Sequence, residues 1–297
     1  MTFVNQNTTD NTQEIIREYE AKYPEIIKPI YQTENQYSKK VKIMRTYQVT
    51  RVKGQYIAFC EGDDYWTDPL KLQKQFDFME ANPDCSMCTC STVWLDMITG
   101  KESNKCRTEI TREVPIEEII LEKKGRIFQF ATFFVKADIY LQVPEWLSSF
   151  GVGDLPLCLY AAISGKVYML SDVMAVYRYG SEGSWTSRTT NIEYRVQALS
   201  KMINGYEIFN QSTNYKYDEL VTKRIKMIKY NLARRNHDFR ALKSDELIEI
   251  YKSKEYSNVI YDDRFNTNDY YGYASYKCDP TCEINVGDGS LVWIESK

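Results

Sequence analysis

The chain has 297 residues, 43% hydrophobic and 27% charged with 13 glycines, enough apolar mass for one large or two small cores, which excludes a disordered or collagen-like polypeptide. Lysine and arginine total 38 against 41 acidic residues, a formal net charge of -3, so no global field favours nucleic acid. His237 is the sole histidine, which removes serine–histidine–acid triads and histidine-rich zinc sites and leaves any catalysis to carboxylates.

Asp10 precedes an apolar pattern at Ile15, Ile16 and Tyr19, with Gln13 three residues after it, and this predicts a capped helix that Pro24 ends. Residues 26–31 form a short β-prone run and residues 35–40 a polar loop. Mixed helical spacing over residues 41–52 is punctuated by Gly54, after which Tyr56, Ile57, Ala58, Phe59 and Cys60 read as a buried strand. The acidic cluster Glu61, Gly62, Asp63, Asp64 begins where that strand ends. Beyond it Asp68 is placed to cap a helix, Pro69 suits its first position, and Leu72, Phe76 and Met79 repeat at helical spacing until Pro83.

Residues 86–95 are a further strand, and the alternation of strands with helices predicts an α/β fold with a mostly parallel central sheet. Ligands of such sheets gather at the carboxyl ends of strands, which is where the 61–64 cluster falls. Residues 128–135 supply another strand, 154–163 a short helix, and 166–170 with 175–177 two brief strands. Two amphipathic helices then follow, marked by Val196, Leu199 and Ile203 and by Leu220, Ile225, Ile228 and Leu232. The second carries Lys223, Arg224, Lys226, Lys229, Arg234 and Arg235, which suits either a solvated face or peripheral contact with an anionic membrane. The expected organisation is an α/β domain over residues 1–190, a helical region over 191–250 and an irregular tail over 251–297.

No apolar run approaches the roughly 20 residues of a spanning helix, no secretory start is present, and eight cysteines are too few for a disulfide scaffold. A cytoplasmic location, extending to the inner face of the membrane, is therefore expected. Cys85, Cys88 and Cys90 have a zinc-like spacing, but Cys88 and Cys90 point to one face of a predicted strand, where thiols behave as small apolar groups.

In extended geometry Glu61 and Asp63 share a face, and Gly62 lets a ligand approach the backbone. Two hard oxygen donors suit magnesium or manganese, which keep several waters and take substrate phosphates as further ligands. The same acids equally suit a solvated turn ahead of a helix cap.

Residues 53–75, with Glu61-Gly62-Asp63-Asp64 followed by Asp68-Pro69-Leu70-Lys71-Leu72-Gln73-Lys74-Gln75, resemble the acidic DxD motif of the family 2 glycosyltransferases, whose fold is called GT-A. Thr9-Asp10-Asn11-Thr12 with Glu14-Ile15-Ile16 and Tyr19 is similar to that family's early loop and helix. Gly153-Asp154-Leu155-Pro156-Leu157 is similar to its acceptor-site motif, and Tyr177-Arg178 with Gly183-Ser184-Trp185 to elements downstream. The resemblance covers residues 5–190.

It implies that Asp63 binds a divalent metal, Mn or Mg, bridging a nucleotide diphosphate, that Glu61 stands near the ribose, and that Asp64 supports the site. Asp154 would be the catalytic base of an inverting transfer, with Arg178 on phosphates and Trp185 or Trp66 stacked on a sugar or base. The donor would be a nucleotide-sugar, a UDP-sugar first among them, and the acceptor a glycan or lipid-linked molecule, as in surface polysaccharide biosynthesis. From the residues alone Asp154 also suits a helix N-cap, Arg178 a surface ion pair, and both tryptophans packing.

Relative to the family the chain begins after the usual first strand, as though truncated. Asn5 and Gln6 replace an acidic pair, Gly153 replaces an acid, and Tyr179 and Gly180 occupy the region of a usual histidine. Two other readings therefore stay open: a non-catalytic, degenerate GT-A-fold binding protein, and a magnesium-dependent phosphohydrolase or nucleotidyltransferase.

Overall fold

The computed structural model describes residues 2–5, 11–36, 39, 41–122, 127–181, 184–189, 191–235, 241, 244, 247, 286–287 and 290–291. Of the residues singled out above, Gln6, Thr9, Asp10, Gly183 and His237 lie outside this set, and Asn5, Trp185, Arg234 and Arg235 are described by their backbone alone.

In chain order the elements begin with β1 (Thr2–Asn5), α1 (Thr12–Lys22), β2 (Lys28–Tyr31), β3 (Tyr56–Ala58) and β4 (Tyr65–Trp66). Next come α2 (Lys71–Ala81), β5 (Cys85–Asp96), β6 (Glu102–Cys106), β7 (Arg112–Glu113) and α3 (Ile116–Leu121). They are followed by β8 (Phe134–Lys136), α4 (Ala137–Leu141), α5 (Asp154–Ser164), β9 (Lys166–Tyr179), α6 (Trp185–Arg188), α7 (Ile192–Ser212) and α8 (Asp218–Arg235). In the tail, Val286–Gly287 pairs antiparallel with Ser290–Leu291. The chain divides into two compact units, Met1–Ile57 with Lys136–Gln142, and Ala58–Val135 with Val143–Lys297.

In the first unit β1 and β2 pair in parallel, with α1 as the crossover between them. Asn11 occupies the N-cap of α1 without a side-chain cap bond, and Ile15 and Tyr19 remain 54% and 49% exposed. What ties α1 down is polar: Tyr31 donates its hydroxyl to Glu20 Oε2 at 2.8 Å, and the Arg17 guanidinium lies 4.2 Å from the Tyr31 ring centroid. Residues 41–52 resolve into a π-helical turn, Met44–Gln48, and a 3-10 turn, Val49–Arg51.

The second unit is organised around β5, whose first ten residues are all buried. It runs parallel to β9 and antiparallel to β6 and β8, while β9 takes β4 and β7 antiparallel. The fold is α/β as expected, but the sheet is mixed rather than mostly parallel. The β5–β6 connection is a tight turn closed by Gly100 N–H on Asp96 O at 2.8 Å, and so short a link forces antiparallel pairing. The parallel pair, β5 and β9, is separated by a long connection.

Local departures have local causes. The two brief strands expected at 166–170 and 175–177 are one strand, β9, whose register against β5 shifts between Leu170 and Ala175, where Asp172 is held by Lys74 Nζ at 2.5 Å. Of the strand expected at 128–135 only Phe134 and Val135 are strand, in β8, and Phe130–Thr132 form a 3-10 turn where Thr132 Oγ1 donates to Gln129 O at 2.6 Å. In α2 the buried face is Lys71, Gln75 and Met79, while Leu72 and Phe76 stay 39% and 38% exposed. The helix is rotated by one position from the face its apolar residues predict.

The helices after residue 190 pack within the second unit. Asn191 caps α7 by accepting the Tyr194 N–H at 3.0 Å, and Tyr206 and Phe209 of α7 meet Phe150 and Trp146 edge-on or tilted. Gly205 lets this happen: a Cβ there would lie 2.4 Å from the Phe150 ring. α8 docks on α3 through Arg224, which is buried, donates Nη1 to Leu121 O at 3.1 Å and pairs with the buried Glu122 carboxylate. Arg224 thus leaves the basic face expected of this helix. Among the described residues no helix is long and apolar enough to cross a membrane.

Candidate active site

The acidic cluster is a β-turn between β3 and β4, closed by the Asp64 N–H on Glu61 O at 3.1 Å with Gly62 and Asp63 in its centre. The strand alternation that would put Glu61 and Asp63 on one face does not apply to a turn. Exposure grades along it instead: Glu61 and Gly62 are exposed, Asp63 is half-buried and Asp64 is buried.

Arg178 holds the turn from the far end of β9. The pairing of Tyr65 with Val176 sets the register that delivers it. Its backbone N–H donates to Asp64 Oδ1 at 2.9 Å, its Nη2 to Gly62 O at 3.2 Å, and its Nε to Asp63 O. The fork of one guanidinium therefore fastens two successive carbonyls, a task that suits arginine geometry and not lysine. Phosphate contact or a surface ion pair was the expectation for this side chain; the carbonyls of the turn are what it holds.

Burial pushes the Asp64 carboxyl up to about 7, opposed by the Arg178 N–H and reinforced by the neighbouring Asp63. Its Oδ2 is buried with no hydrogen-bond partner among the described residues. Beside it, Cys60 Sγ lies 3.7 Å from both Glu61 O and Asp64 O, and burial with the Asp64 charge raises the thiol to about 11, far from a reactive thiolate.

Asp68 does not cap α2, whose N-cap is Leu70. It makes a turn ahead of the helix, Oδ1 accepting the Leu70 N–H at 2.7 Å and Oδ2 the Lys74 ammonium at 2.8 Å. Asp154 opens α5, with Gly153 in the N-cap position, and its Oδ1 accepts the Leu155 N–H at 2.8 Å. It is half-buried. Trp185 opens α6. The structure thus joins Gly62, Asp63, Asp64 and Arg178 in one bonded group, while Asp154 and Trp185 stand on separate helices.

Sequence reasoning missed the layer behind the turn. Trp66 donates its indole N–H to Ala131 O at 2.8 Å, and Gln75 Nε2 donates to Thr132 O at 2.9 Å, so β4, α2 and the 130–132 turn are laced together. The signal available was the polar pair Lys71 and Gln75, spaced by four on a helix whose other face is apolar. Cys88 and Cys90 are buried in β5, where burial raises both thiols.

The carboxylates of exposed Glu61 and half-buried Asp63 are hard oxygen donors of the kind that magnesium or manganese takes alongside water and phosphate. Among the described residues no group of three or more acidic, histidine or cysteine side chains forms an all-protein cage. A metal here would take most of its ligands from solvent and substrate.

Residues 1–138 match the protein family described as Glycosyl transferase family 2. The match includes the 61–64 turn and stops short of Asp154, Arg178 and Trp185. An uncharacterised protein of Mycobacterium tuberculosis is 29% identical over 192 residues, covering 62% of this chain and 51% of that one, as is one of Mycobacterium bovis. The chain thus spans about half the length of these relatives. The putative teichuronic acid biosynthesis glycosyltransferase TuaG of Bacillus subtilis is 37% identical over 79 residues, 27% of this chain and 29% of that one. Among solved structures, S. aureus TarS 1-349 in complex with UDP aligns with 100% of this chain and 88% of its own at 14% identity and a TM-score of 0.45.

Proposed function

We propose that the chain is an inverting glycosyltransferase that takes a sugar from a nucleotide-sugar donor, a UDP-sugar foremost, and transfers it to a glycan or lipid-linked acceptor. The observation that carries this reading is the clamped turn. Arg178 draws the Gly62 and Asp63 carbonyls onto its guanidinium, and Glu61 is left exposed and Asp63 half-exposed in the region that matches family 2.

In this reading Asp63, with Glu61 beside it, holds Mn or Mg, and the ion, when bound, neutralises charge on the departing diphosphate. Asp64 within the turn and Arg178 near the end of β9 fix its shape, so Arg178 acts on the nucleotide through the carbonyls it holds. Asp154 removes the proton of the acceptor hydroxyl as that oxygen bonds the anomeric carbon and the carbon–oxygen bond to the diphosphate breaks. Its place at the start of α5 is compatible with both this role and an N-terminal helix position, where a carboxylate is stabilised by the dipole. Trp185 would close over the sugar or base.

The acceptor class is supported by the similarity to TuaG, a putative teichuronic acid biosynthesis glycosyltransferase. Half-buried Lys223, Lys226 and Lys229 of α8 are the residues that peripheral contact with the inner face of a membrane would use, in keeping with a cytoplasmic location. The division into a catalytic domain over 1–190, a helical region over 191–250 and a tail over 251–297 belongs to the same proposal.

Incubation with a panel of UDP- and GDP-sugars and manganese, reading nucleoside diphosphate release and acceptor labelling, tests the assignment. Release that depends on acceptor and is lost in Asp63→Ala and Asp154→Asn supports it. Nucleotide binding without turnover in every combination favours the non-catalytic reading, and release of phosphate without sugar transfer favours a phosphohydrolase.

A further inference from the structure

Behind the acidic turn lies a cation that the proposed chemistry does not use. Lys71 is 1% exposed, with its Nζ 2.6 Å from Gln75 Oε1 and 4.4 Å from the centroid of the Trp66 ring. Among the described residues no carboxylate stands within ion-pair distance of it. Around it lie the thiols of Cys90, Cys88 and Cys60, the last in contact with the carbonyls of the turn.

An ammonium buried among neutral partners weakens a fold, and methionine, of similar length and flexibility, would fill the same space without that cost. Packing alone therefore does not explain this side chain. What lysine adds is a positive charge in a low-dielectric interior, where its field reaches farther than that of a surface charge, and a cation–π contact that fixes one aromatic ring. The ring is Trp66, two residues beyond the turn, already tied to Ala131, while Gln75 ties the same ammonium to Thr132.

We infer that Lys71 is a positioning residue of the candidate donor site: from beneath Trp66 it holds the ring in place and sets a positive charge behind the 61–64 turn, favouring a nucleoside diphosphate there. This rests on the proposed glycosyltransferase reading. It adds an interior residue, remote from solvent, whose effect reaches the nucleotide only through Trp66 and the field behind the turn.

The test is manganese-dependent UDP binding by calorimetry alongside thermal unfolding, on the full chain and on Lys71→Met, Lys71→Arg, Trp66→Phe and the Lys71→Met/Trp66→Phe double variant. Lys71→Met is expected to unfold at the same or a higher temperature yet bind UDP about tenfold more weakly, with Lys71→Arg recovering part of the loss. The double variant should lose less than the product of the two single losses, as coupled residues do. Unchanged UDP binding in Lys71→Met, or weaker binding that merely follows a lowered unfolding temperature, overturns the role of Lys71 while leaving the donor site intact. Failure of the unsubstituted chain to bind UDP overturns the donor-site reading and this inference with it.

Discussion

The backbone N–H of Arg178 lies 2.9 Å from Oδ1 of Asp64, a contact between positions 114 apart in the chain. Together with the guanidinium contacts to Gly62 and Asp63 it turns four residues of loop into a fixed element. Arg178→Ala should keep the backbone bond but remove the two guanidinium bonds and cost about 1–3 kcal/mol of stability, since carbonyl partners of a lost cationic donor remain in place. Arg178→Lys should recover little, because a single ammonium cannot bridge two successive carbonyls. Urea midpoints of the three proteins check both statements, and near-equal midpoints for the arginine and lysine forms would show that the fork is dispensable.

The Asp68–Lys74 contact predicts a pH dependence. Lys74 and the Leu70 N–H hold the Asp68 carboxyl below its ordinary value of 3.8. A depressed carboxylate contributes stability that is fully present above the ordinary value and is lost as pH falls through the folded one. Thermal midpoints of the wild type and Asp68→Asn should therefore differ at neutral pH and converge below the ordinary aspartate range. A gap that stays constant into strong acid would mean that Asp68 acts through shape and not through charge.

Gly205 faces the Phe150 ring so closely that any Cβ must displace it, the ring lying 2.4 Å from where that atom would be. Gly205→Ala should destabilise by about 1–3 kcal/mol through overpacking, despite the better helix propensity of alanine. A denaturation midpoint equal to or above that of the parent chain would show that the turn Glu145–Phe150 can move away from α7 at little cost.

Glu122 sits at the C-cap of α3 with φ +42°, 3% exposed, and meets the buried Arg224 of α8. Removing one partner of a buried pair leaves the other charge uncompensated, so Glu122→Ala should cost about 3–5 kcal/mol. Replacing both residues together with apolar ones should cost less than either single change. Urea denaturation of the single and double variants measures the difference, and strict additivity would show that the two do not act as a pair.

Much of this was readable from the chain. The strand–acidic turn–helix order, the strand expected at residues 86–95 and the two late helices follow from periodicity, Pro69, Pro83 and the clustering of carboxylates. The rotation of α2 was hidden, because hydropathy places Leu72 and Phe76 inward and gives no weight to the polar partners that draw Lys71 and Gln75 in. The mixed sense of the sheet was hidden as well: it depends on which strands pair across the sequence, and local pattern carries no such information. The Arg178 clamp lay beyond local reading for the same reason, since it joins a strand end to a loop through tertiary register.

The central claim is that the 61–64 turn receives a nucleoside diphosphate together with a divalent metal. Calorimetric titration of the full chain with UDP and then GDP, with and without manganese and with Asp63→Ala as control, addresses it most directly. The predicted result is binding of one nucleotide that requires manganese and disappears in Asp63→Ala. Binding that is indifferent to both manganese and Asp63, or no binding of either nucleotide, would contradict it.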